Sequence, residues 1–444
     1  MDLTKSSVAG LLATFMAASA FAQSASNESS LLVAAREEQA AVIASLEKMV
    51  LIESGSNDIE GLEEMARYSQ DRLQALGAAT ERVPATNGQA PGLVKGVFKG
   101  NGKLRVMLIA HMDTVYRQGI LDVEPYRREG NKLFGPGIAD DKGGIAVVLH
   151  SLAILQKSGW NDYETLTVLF DPDEEIGSPG SGAIIAQLGS ENDVVLSYEP
   201  SPAKSIAQDE GVLLSAAGTA QIKLVVTGRA AHAGAAHAEG RNALIELAHQ
   251  LVQTRDLAET IPGAQLNWTT ANGGTARNQI PGRAEAGSDV RFTRQGAAEE
   301  LLAAIRSKVN ENPLIPDTQS EVSMEIMRPM FVAGEKGLKL AQLAKSIYAE
   351  LDSGTLEEET TREMPGPNAP GRNLLLIPET TGGTDAGFAA SSGKPAVLES
   401  MGLAGWGYHA KNEFIEIDSI VPRLYLTSRM LVELGKRASA GDPL

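Results

Sequence analysis

Three short apolar segments, each followed by acidic or histidine residues, constrain the fold of this 444-residue chain most strongly. They cover Leu104–Ala110, Thr165–Phe170 and Val194–Ser197. Runs of this length fit buried strands, although a segment of a buried helix has the same pattern. A helical pattern at Gly143–Gly159 separates the first two segments. The alternation predicts an α/β fold, in which helices flank a parallel or mixed sheet.

A smaller unit is predicted inside the larger one. From Ser215 onward the chain alternates strand and helix patterns over ~110 residues, which is enough for a small α+β domain. We therefore expect an inserted domain at residues 215–327, within a larger domain formed by residues 23–214 and 328–444. The elements expected in the insert are strands at Ala220–Thr227 and Ala284–Phe292 and helices at Arg241–Leu257 and Glu299–Asn310.

The larger unit has further helical patterns and one long irregular segment. Helices are expected at Leu31–Ile52, Ile59–Gly77 and Gly337–Leu351. Leu356–Thr381 is polar and rich in proline, which predicts a long loop. Loops of this length in compact domains are commonly either functional lids or disordered.

The N-terminus has the three parts of a secretory signal peptide. Lys5 supplies a positive charge, Val8–Ala18 is small and apolar, and Ala20-Phe21-Ala22 fits a cleavage site. The apolar run is shorter than the ~20 residues that a membrane-spanning helix needs, although an uncleaved anchor is the alternative. We expect residues 1–22 to be removed near Ala22 and the protein to be exported, to the periplasm or the medium, without a membrane anchor.

Composition excludes several kinds of site. The chain contains no cysteine, so disulfides, thiolate nucleophiles and cysteine-bound zinc are ruled out. Any zinc must be held by histidine and carboxylate, the usual ligands of catalytic zinc. The formal net charge of −17 opposes binding to nucleic acid or anionic lipid, although solubility alone explains an acidic surface.

The first candidate site residues directly follow a predicted strand. Asp113 could orient the His111 ring by accepting its second N–H, the support that metal-bound histidines usually have. Alone, this H-x-D pair is a weak signal, and a structural role stays open.

The segment GPGIADDKGG at residues 135–144 is more specific. It places Asp140, Asp141 and Lys142 in a glycine-rich turn that enters a helix, where one carboxylate could bridge two cations. A phosphate-binding loop is the alternative, but the carboxylates would repel phosphate and no G-K-[ST] follows.

Further acids and a late histidine follow. Asp171–Glu175 carries four carboxylates in five residues at the end of a predicted strand. Such runs are commonly solvated, but neighbouring carboxylates can also divide metal binding from general base catalysis. Glu199 ends the third strand, and His409 lies among glycines. We expect His150 and His249, which lie in predicted helices, to be structural and His237 to be solvated.

Together these motifs resemble the M20 family of zinc exopeptidases, and within it the glutamate carboxypeptidase group. The resemblance spans essentially the whole chain after the signal peptide. It rests on HMDTV, GPGIADDKGG, DEE, EP, GRAAHAG, GGTDA and YH, which begin at positions 111, 135, 173, 199, 228, 382 and 408.

The resemblance implies a site for two Zn²⁺ ions. His111 and Glu199 would bind one ion and Glu175 and His409 the other, with Asp140 bridging both. It further implies that Glu174 is the general base and that Asp113 supports His111.

The resemblance also implies that the inserted domain forms a lid and a homodimer contact through residues 215–327. His232 would reach the site of the partner subunit and stabilise the oxyanion. Asn278 and Arg291 would contact the substrate, and arginine is suited to binding a carboxylate through two hydrogen bonds. Arg328 is a weaker candidate, for which a surface salt bridge is an equal alternative.

Two departures from the group concern the substrate. Residues 357–381 are longer than the group pattern implies and could reshape the acyl pocket. A basic residue expected near residues 208–212 in glutamate-releasing members cannot be placed.

The sequence therefore predicts a zinc carboxypeptidase that removes a C-terminal amino acid, with glutamate the first candidate, from a small or short-peptide substrate with a free carboxylate. An N-acyl-amino-acid deacylase or dipeptidase is the alternative. A catalytically dead binding protein is a remote one, since every expected ligand and Glu174 are present.

Overall fold

The computed structural model describes residues 30–88, 91–351 and 372–441. The signal peptide expected at residues 1–22 and most of the loop expected at 357–381 lie outside these ranges. The helices are α1 (residues 30–50), α2 (Ile59–Ala75), α3 (Lys142–Ser158), α4 (Gly182–Glu191), α5 (Lys204–Ala207), α6 (Ala243–Thr254), α7 (Ala297–Glu311), α8 (Gly334–Tyr348), α9 (Ala386–Ala390) and α10 (Ile420–Ser439).

The four longest strands, of 10 residues each, form the main sheet of the smaller unit. The strands, in chain order, are β1 (Ala79–Val83), β2 (Leu93–Lys99), β3 (Arg105–His111), β4 (Arg127–Glu129), β5 (Lys132–Phe134), β6 (Thr165–Asp171), β7 (Val194–Ser197), β8 (Ser201–Pro202), β9 (Gly211–Leu213), β10 (Ser215–Ala216), β11 (Gly218–Thr227), β12 (Ala231–His232), β13 (Ala264–Gly273), β14 (Gln279–Ile280), β15 (Arg283–Phe292), β16 (Gln319–Arg328), β17 (Phe331–Val332), β18 (Leu375–Ile377), β19 (Ala396–Leu398), β20 (Ala404–Trp406) and β21 (Phe414–Glu416).

A mixed sheet forms the centre of the larger unit. Its strand order is β1-β2-β6-β3-β7-β19. The strands from β6 to β19 are parallel, whereas β1 and β2 add an antiparallel edge. The three apolar segments are therefore confirmed as neighbouring strands, and the α/β fold is confirmed with them.

Alternate residues of β3 enter two different cores, as the period of a strand requires. Val106 and Leu108 pack in a cluster that includes residues of α1, α3 and α10. Met107 and Ile109 pack in a second cluster with residues of α4 and α9. Helices therefore cover both faces of the sheet. Burial of each such side chain contributes ~1.5–3 kcal/mol to the stability of the fold.

Helix α3 begins at Lys142, two residues after Asp140. The Asp141 carboxylate caps it by accepting the Gly144 N–H at 3.1 Å, and such a cap contributes ~1 kcal/mol. At the other end, Gly159 adopts a left-handed φ of 72°, which favours glycine and stops the helix. The cap at Asp141 therefore fixes where α3 starts, two residues after the candidate ligand Asp140.

The smaller unit has its own antiparallel sheet, in the order β13-β15-β11-β16. Its own buried cluster joins one face of this sheet to α6 and α7. The four expected elements are present, but sequence analysis missed β13 and β16. Both are edge strands with many polar residues, so they lack the apolar alternation that marks a half-buried strand.

The interpretation of Leu356–Thr381 as irregular throughout is wrong near its end. There β18 pairs in parallel with β9. The apolar run Leu374–Ile377 forms this strand, and Pro378 follows it directly. Within the described ranges, no helix combines the length and apolarity needed to cross a membrane.

Candidate metal centre

The ends of parallel strands bring the candidate residues together. His111 ends β3 beside Asp171 at the end of β6, and Glu199 lies two residues beyond the end of β7. Asp140 lies just before α3. In open α/β sheets, sites form at this carboxyl edge of the strands.

The first group of possible ligands consists of His111, Asp140 and Glu199, and we call it the inner trio. His111 Nε2 lies 3.0 Å from Asp140 Oδ1 and 3.7 Å from Glu199 Oε1. The His111 side chain is 2% exposed. A nitrogen and two carboxylates thus converge in a buried position.

The second group consists of Asp140, Glu175 and His409, and we call it the outer trio. His409 Nε2 lies 3.1 Å from Asp140 Oδ2 and 3.0 Å from Glu175 Oε2. The His409 side chain is 55% exposed. Asp140 therefore belongs to both trios and turns one oxygen toward each histidine.

Asp113 connects the inner trio to the acidic turn that follows β6. Its Oδ1 lies 3.2 Å from His111 Nδ1. Its two oxygens also accept the N–H groups of Glu174 and Glu175, both at 3.1 Å, and the Ser56 hydroxyl at 2.7 Å. One buried carboxylate thus fixes both a histidine ring and the position of the acidic turn.

The trios perturb the pKa values of their own members. Burial by itself lowers the pKa of His111, but hydrogen bonds to Asp113 and Asp140 outweigh it and hold the pKa well above its ordinary value. Hydrogen bonds to Asp140 and Glu175 raise the pKa of His409 to about 10. Burial raises the pKa of Glu199 and of Glu175. In the metal-free protein, both histidine rings are therefore held in their protonated, cationic form.

Glu174 lies beside the trios, in neither of them. Its Oε1 is 2.9 Å from Nη2 of Arg328, which also donates to the main-chain carbonyl of Glu174. Burial raises the pKa of Glu174 well above its usual value, against the attraction of Arg328 and His111. A buried, protonatable carboxylate is suited to proton transfer.

The alternative of a surface salt bridge for Arg328 is wrong, because the residue is only 7% exposed and faces Glu174. Its Nε has no hydrogen-bond partner among the described residues. A Cβ atom at Gly383 would lie 2.8 Å from Arg328 Nη1, so glycine in the GGTDA motif leaves room for this guanidinium.

Three expected site residues of the smaller unit do not join the trios within one subunit. His232 is exposed, and its Nδ1 accepts the N–H groups of Gly234 and Ala235 at 3.2 and 3.0 Å, which leaves the proton on Nε2. The main-chain carbonyl of Asn278 accepts the Ala233 N–H, so Asn278 lies beside the pair of strands β12 and β14 that carries His232. Arg291, on β15, is paired with Asp289 at 2.9 Å.

The remaining histidines have other partners. His150 is buried between Glu38 and Ser45, at 2.9 and 2.8 Å. His249 Nε2 lies 3.0 Å from the Asn312 carbonyl, and His237 is exposed.

Sequence analysis missed Glu413. Its buried carboxylate accepts main-chain N–H groups from the turn that carries Asp140. The sequence shows only that an acid lies four residues after His409, and this spacing does not indicate which groups the carboxylate contacts.

Comparison with known proteins assigns the chain to a family. Residues 107–433 match the profile of Peptidase family M20/M25/M40. The chain belongs to this family. It is therefore an amide-bond hydrolase of the metallopeptidase class. The two trios bring together the five residues that the sequence resemblance implied as ligands.

Relatives within the M20 family differ in activity. Carboxypeptidase G2 of Pseudomonas sp. (strain RS-16) is 40% identical over 436 residues, which cover 98% of this chain and 99% of that protein. Acetylornithine deacetylase of Proteus mirabilis (strain HI4320) is 30% identical over 237 residues, or 49% of this chain and 57% of that protein.

Among solved structures, the M20 family metallo-carboxypeptidase Sso-CP2 from Sulfolobus solfataricus superposes with a TM-score of 0.62. The match covers 87% of this chain and 97% of that one. At 18% identity, it demonstrates a shared fold.

Proposed function

We propose that this M20 enzyme is a zinc-dependent carboxypeptidase that hydrolyses the amide bond of a C-terminal amino acid, glutamate in the first instance, in N-acyl or peptidyl substrates. The observation that carries the proposal is Asp140, whose two oxygens face His111 and His409 at 3.0 and 3.1 Å beside the buried Glu174. Similarity to carboxypeptidase G2 along nearly the whole chain supports the choice of a carboxypeptidase.

The donor atoms of both trios suit zinc. They are imidazole nitrogen and carboxylate oxygen, and the chain has no cysteine to offer. Each trio would supply three protein ligands, the number typical of catalytic zinc, which keeps a position open for water or substrate. When bound, two zinc ions would supply Lewis-acid activation of the amide carbonyl and of a water molecule.

Glu174 would move the proton. Its carboxylate would accept a proton from the attacking water and deliver it to the nitrogen of the leaving amine. Burial raises its pKa, which favours the protonated form that would act as the acid. Proton transfer of this kind contributes typically ~10²–10⁴-fold to the rate.

Arg328 would bind the terminal carboxylate of the substrate. It is a buried cation beside Glu174 whose Nε has no hydrogen-bond partner in the described part of the chain, whereas Arg291 already has Asp289 as a partner. A charge-assisted hydrogen bond from the guanidinium to the substrate carboxylate would fix the orientation of the bond to be cleaved. The expected role of Arg291 and Asn278 in substrate binding stays a prediction.

The exposed features of the smaller unit favour a homodimer through residues 215–327. Strand β13 is an edge strand, and α6 exposes the apolar side chains of Leu244, Ile245 and Val252. Exposed apolar residues beside an open strand edge are typical of a contact surface. His232, whose Nε2 carries a donor hydrogen, would then act at the site of the partner subunit.

The second candidate is an N-acyl-amino-acid deacylase, which the similarity to acetylornithine deacetylase favours. Both candidates use the same trios and differ in the acyl and amine groups that bind. Export after removal of residues 1–22 completes the proposal and rests on the N-terminal pattern alone.

A release assay tests the proposal. Purified protein would be incubated with N-acyl amino acids and dipeptides, including folate-like acyl-glutamates, with and without a chelator. We expect release of the C-terminal amino acid, fastest for glutamate, and its loss with the chelator. Activity confined to acetylated amines such as acetylornithine would establish the deacylase instead. Activity that survives full removal of metal would contradict both candidates.

A further inference from the structure

Glu413 connects the two loops that supply the outer trio. It lies four residues after His409 and is 2% exposed. Its Oε2 accepts the Gly137 N–H at 2.8 Å, and its Oε1 accepts those of Ala139 and Asp140 at 2.8 and 3.0 Å. The Tyr116 hydroxyl lies 2.8 Å from Oε2 and 2.9 Å from the main-chain carbonyl of Ala410, and its single hydrogen can serve either acceptor.

The buried Glu413 side chain is held by hydrogen bonds, three of which come from main-chain N–H groups. Across the described ranges, no lysine or arginine lies within ion-pair distance of Glu413. A carboxylate that accepts several N–H groups makes charge-assisted hydrogen bonds, which are about twice as strong as neutral ones. The turn at residues 137–140 is therefore shaped around Glu413.

The main chain of Glu413 is itself held in place. Its carbonyl accepts the Gly135 N–H at 3.1 Å, and the next residue begins β21, which pairs with β5. The side chain thus extends from a fixed strand into the turn. It fixes the amide of Asp140, whose carboxylate faces His111 and His409.

His409 needs this anchor more than His111 does. His111 ends a central strand and is buried, whereas His409 is half-exposed in a loop with a left-handed φ of 62°. The chain from His409 to Glu413 is short, so the contacts of Glu413 define how closely the His409 loop approaches Asp140.

We propose that Glu413 is a positioning residue for the outer trio, and that its contacts with the Asp140 turn determine how tightly the second cation binds. The inference rests on the proposed two-zinc site. It assigns Glu413 no contact with substrate and no part in proton transfer.

The test compares three variants that differ in what they remove. In Glu413→Gln, an amide that accepts from Ala139 and Asp140 turns its NH₂ group toward the Gly137 N–H, so two donors face each other. Tyr116→Phe leaves the carboxylate and removes the hydroxyl that faces both Glu413 and the carbonyl of Ala410. Glu416→Gln is the matched control, because Glu416 is also a buried carboxylate that accepts two main-chain N–H groups, those of Lys204 and Ser205, outside both trios.

Zinc binding to each metal-free variant would be measured by competition with a chromogenic chelator, with Co²⁺ absorption spectra as a second reading of ligand geometry. For Glu413→Gln we expect the second zinc to bind ~10–100-fold more weakly, the range seen when residues that orient metal ligands are lost. The affinity of Glu413→Gln for the first zinc should change by less than ~3-fold, because the perturbation reaches the outer trio first. Tyr116→Phe should also bind the second zinc more weakly, but by a smaller factor. Glu416→Gln should bind both ions as the wild type does.

Unchanged binding of the second zinc in folded Glu413→Gln would overturn the inference, and so would equal weakening of both ions. If Glu413→Gln does not fold, Tyr116→Phe provides the test. A Tyr116→Phe protein that binds the second ion with wild-type affinity would then overturn the inference. Failure of the wild type to bind two ions would refute the two-zinc site itself, which separates the two failures.

Discussion

The inner and outer trios share Asp140 but hold their histidines differently. His111 is the last residue of a central strand, 2% exposed, with its Nδ1 beside Asp113. His409 lies in a loop, 55% exposed, in a left-handed backbone conformation. The sheet therefore organises one half of the centre before any ion binds, whereas the other half depends on loop contacts. We therefore expect the two proposed cations to bind with different affinities.

The largest expected effect concerns Glu174, which lies outside both trios. Glu174→Gln should leave both ions bound and reduce kcat by ~10²–10⁴-fold, because the proton acceptor is lost while the ligands stay. Metal analysis and steady-state kinetics on the same preparation check this. Loss of an ion would make Glu174 part of a trio, and near-normal turnover would remove it as the base.

A slightly smaller effect concerns His232, which contacts neither trio within one subunit. His232→Ala should reduce kcat by ~10²–10³-fold if its Nε2–H stabilises the oxyanion, the usual cost of losing one such donor. Both trios should retain their ions.

Mixed dimers test whether His232 acts across subunits. Combining His232→Ala chains with Glu174→Gln chains should restore part of the activity, since one site of each mixed dimer would have both groups. No recovery in mixed dimers of verified composition would contradict the sharing.

The smallest expected effect is a release of protons by the outer trio. The pKa of His409 is raised to about 10 by its hydrogen bonds to Asp140 and Glu175, so the ring is protonated in the metal-free protein below that pH. A zinc ion needs the neutral ring, so binding at a pH of about 8 should release at least one proton.

Calorimetry in buffers of different ionisation enthalpy measures this release. His409→Ala is the control, because it removes the titrating ring. A second binding step without a buffer-dependent enthalpy in the wild type would contradict the assignment of His409.

The inner trio was accessible from sequence because its residues follow strands. His111 and Glu199 come at or just after short apolar runs, and parallel strands place their ends at one edge of a sheet. Asp140 was marked by the glycines around it. Local sequence patterns therefore predicted the central sheet and the candidate residues of the inner trio. The roles of these residues as metal ligands came from the family resemblance.

Other contacts were beyond local patterns. Glu413 meets the turn at Gly137 across 276 positions of sequence, and Arg328 meets Glu174 across 154. Contacts between residues so far apart in the sequence produce no periodic pattern from which they could be predicted. The polar edge strands β13 and β16 were missed for a related reason, because sheet pairing rather than apolar alternation holds them.

The most direct test of the two unequal trios is a zinc titration of the metal-free protein with three chains: wild type, His111→Ala and His409→Ala. We predict two ions per wild-type chain in two steps of different affinity, one remaining ion in His409→Ala at the tighter affinity, and loss of the tighter step in His111→Ala. A single equivalent in the wild type, or retention of the tighter ion in His111→Ala rather than in His409→Ala, would contradict the account.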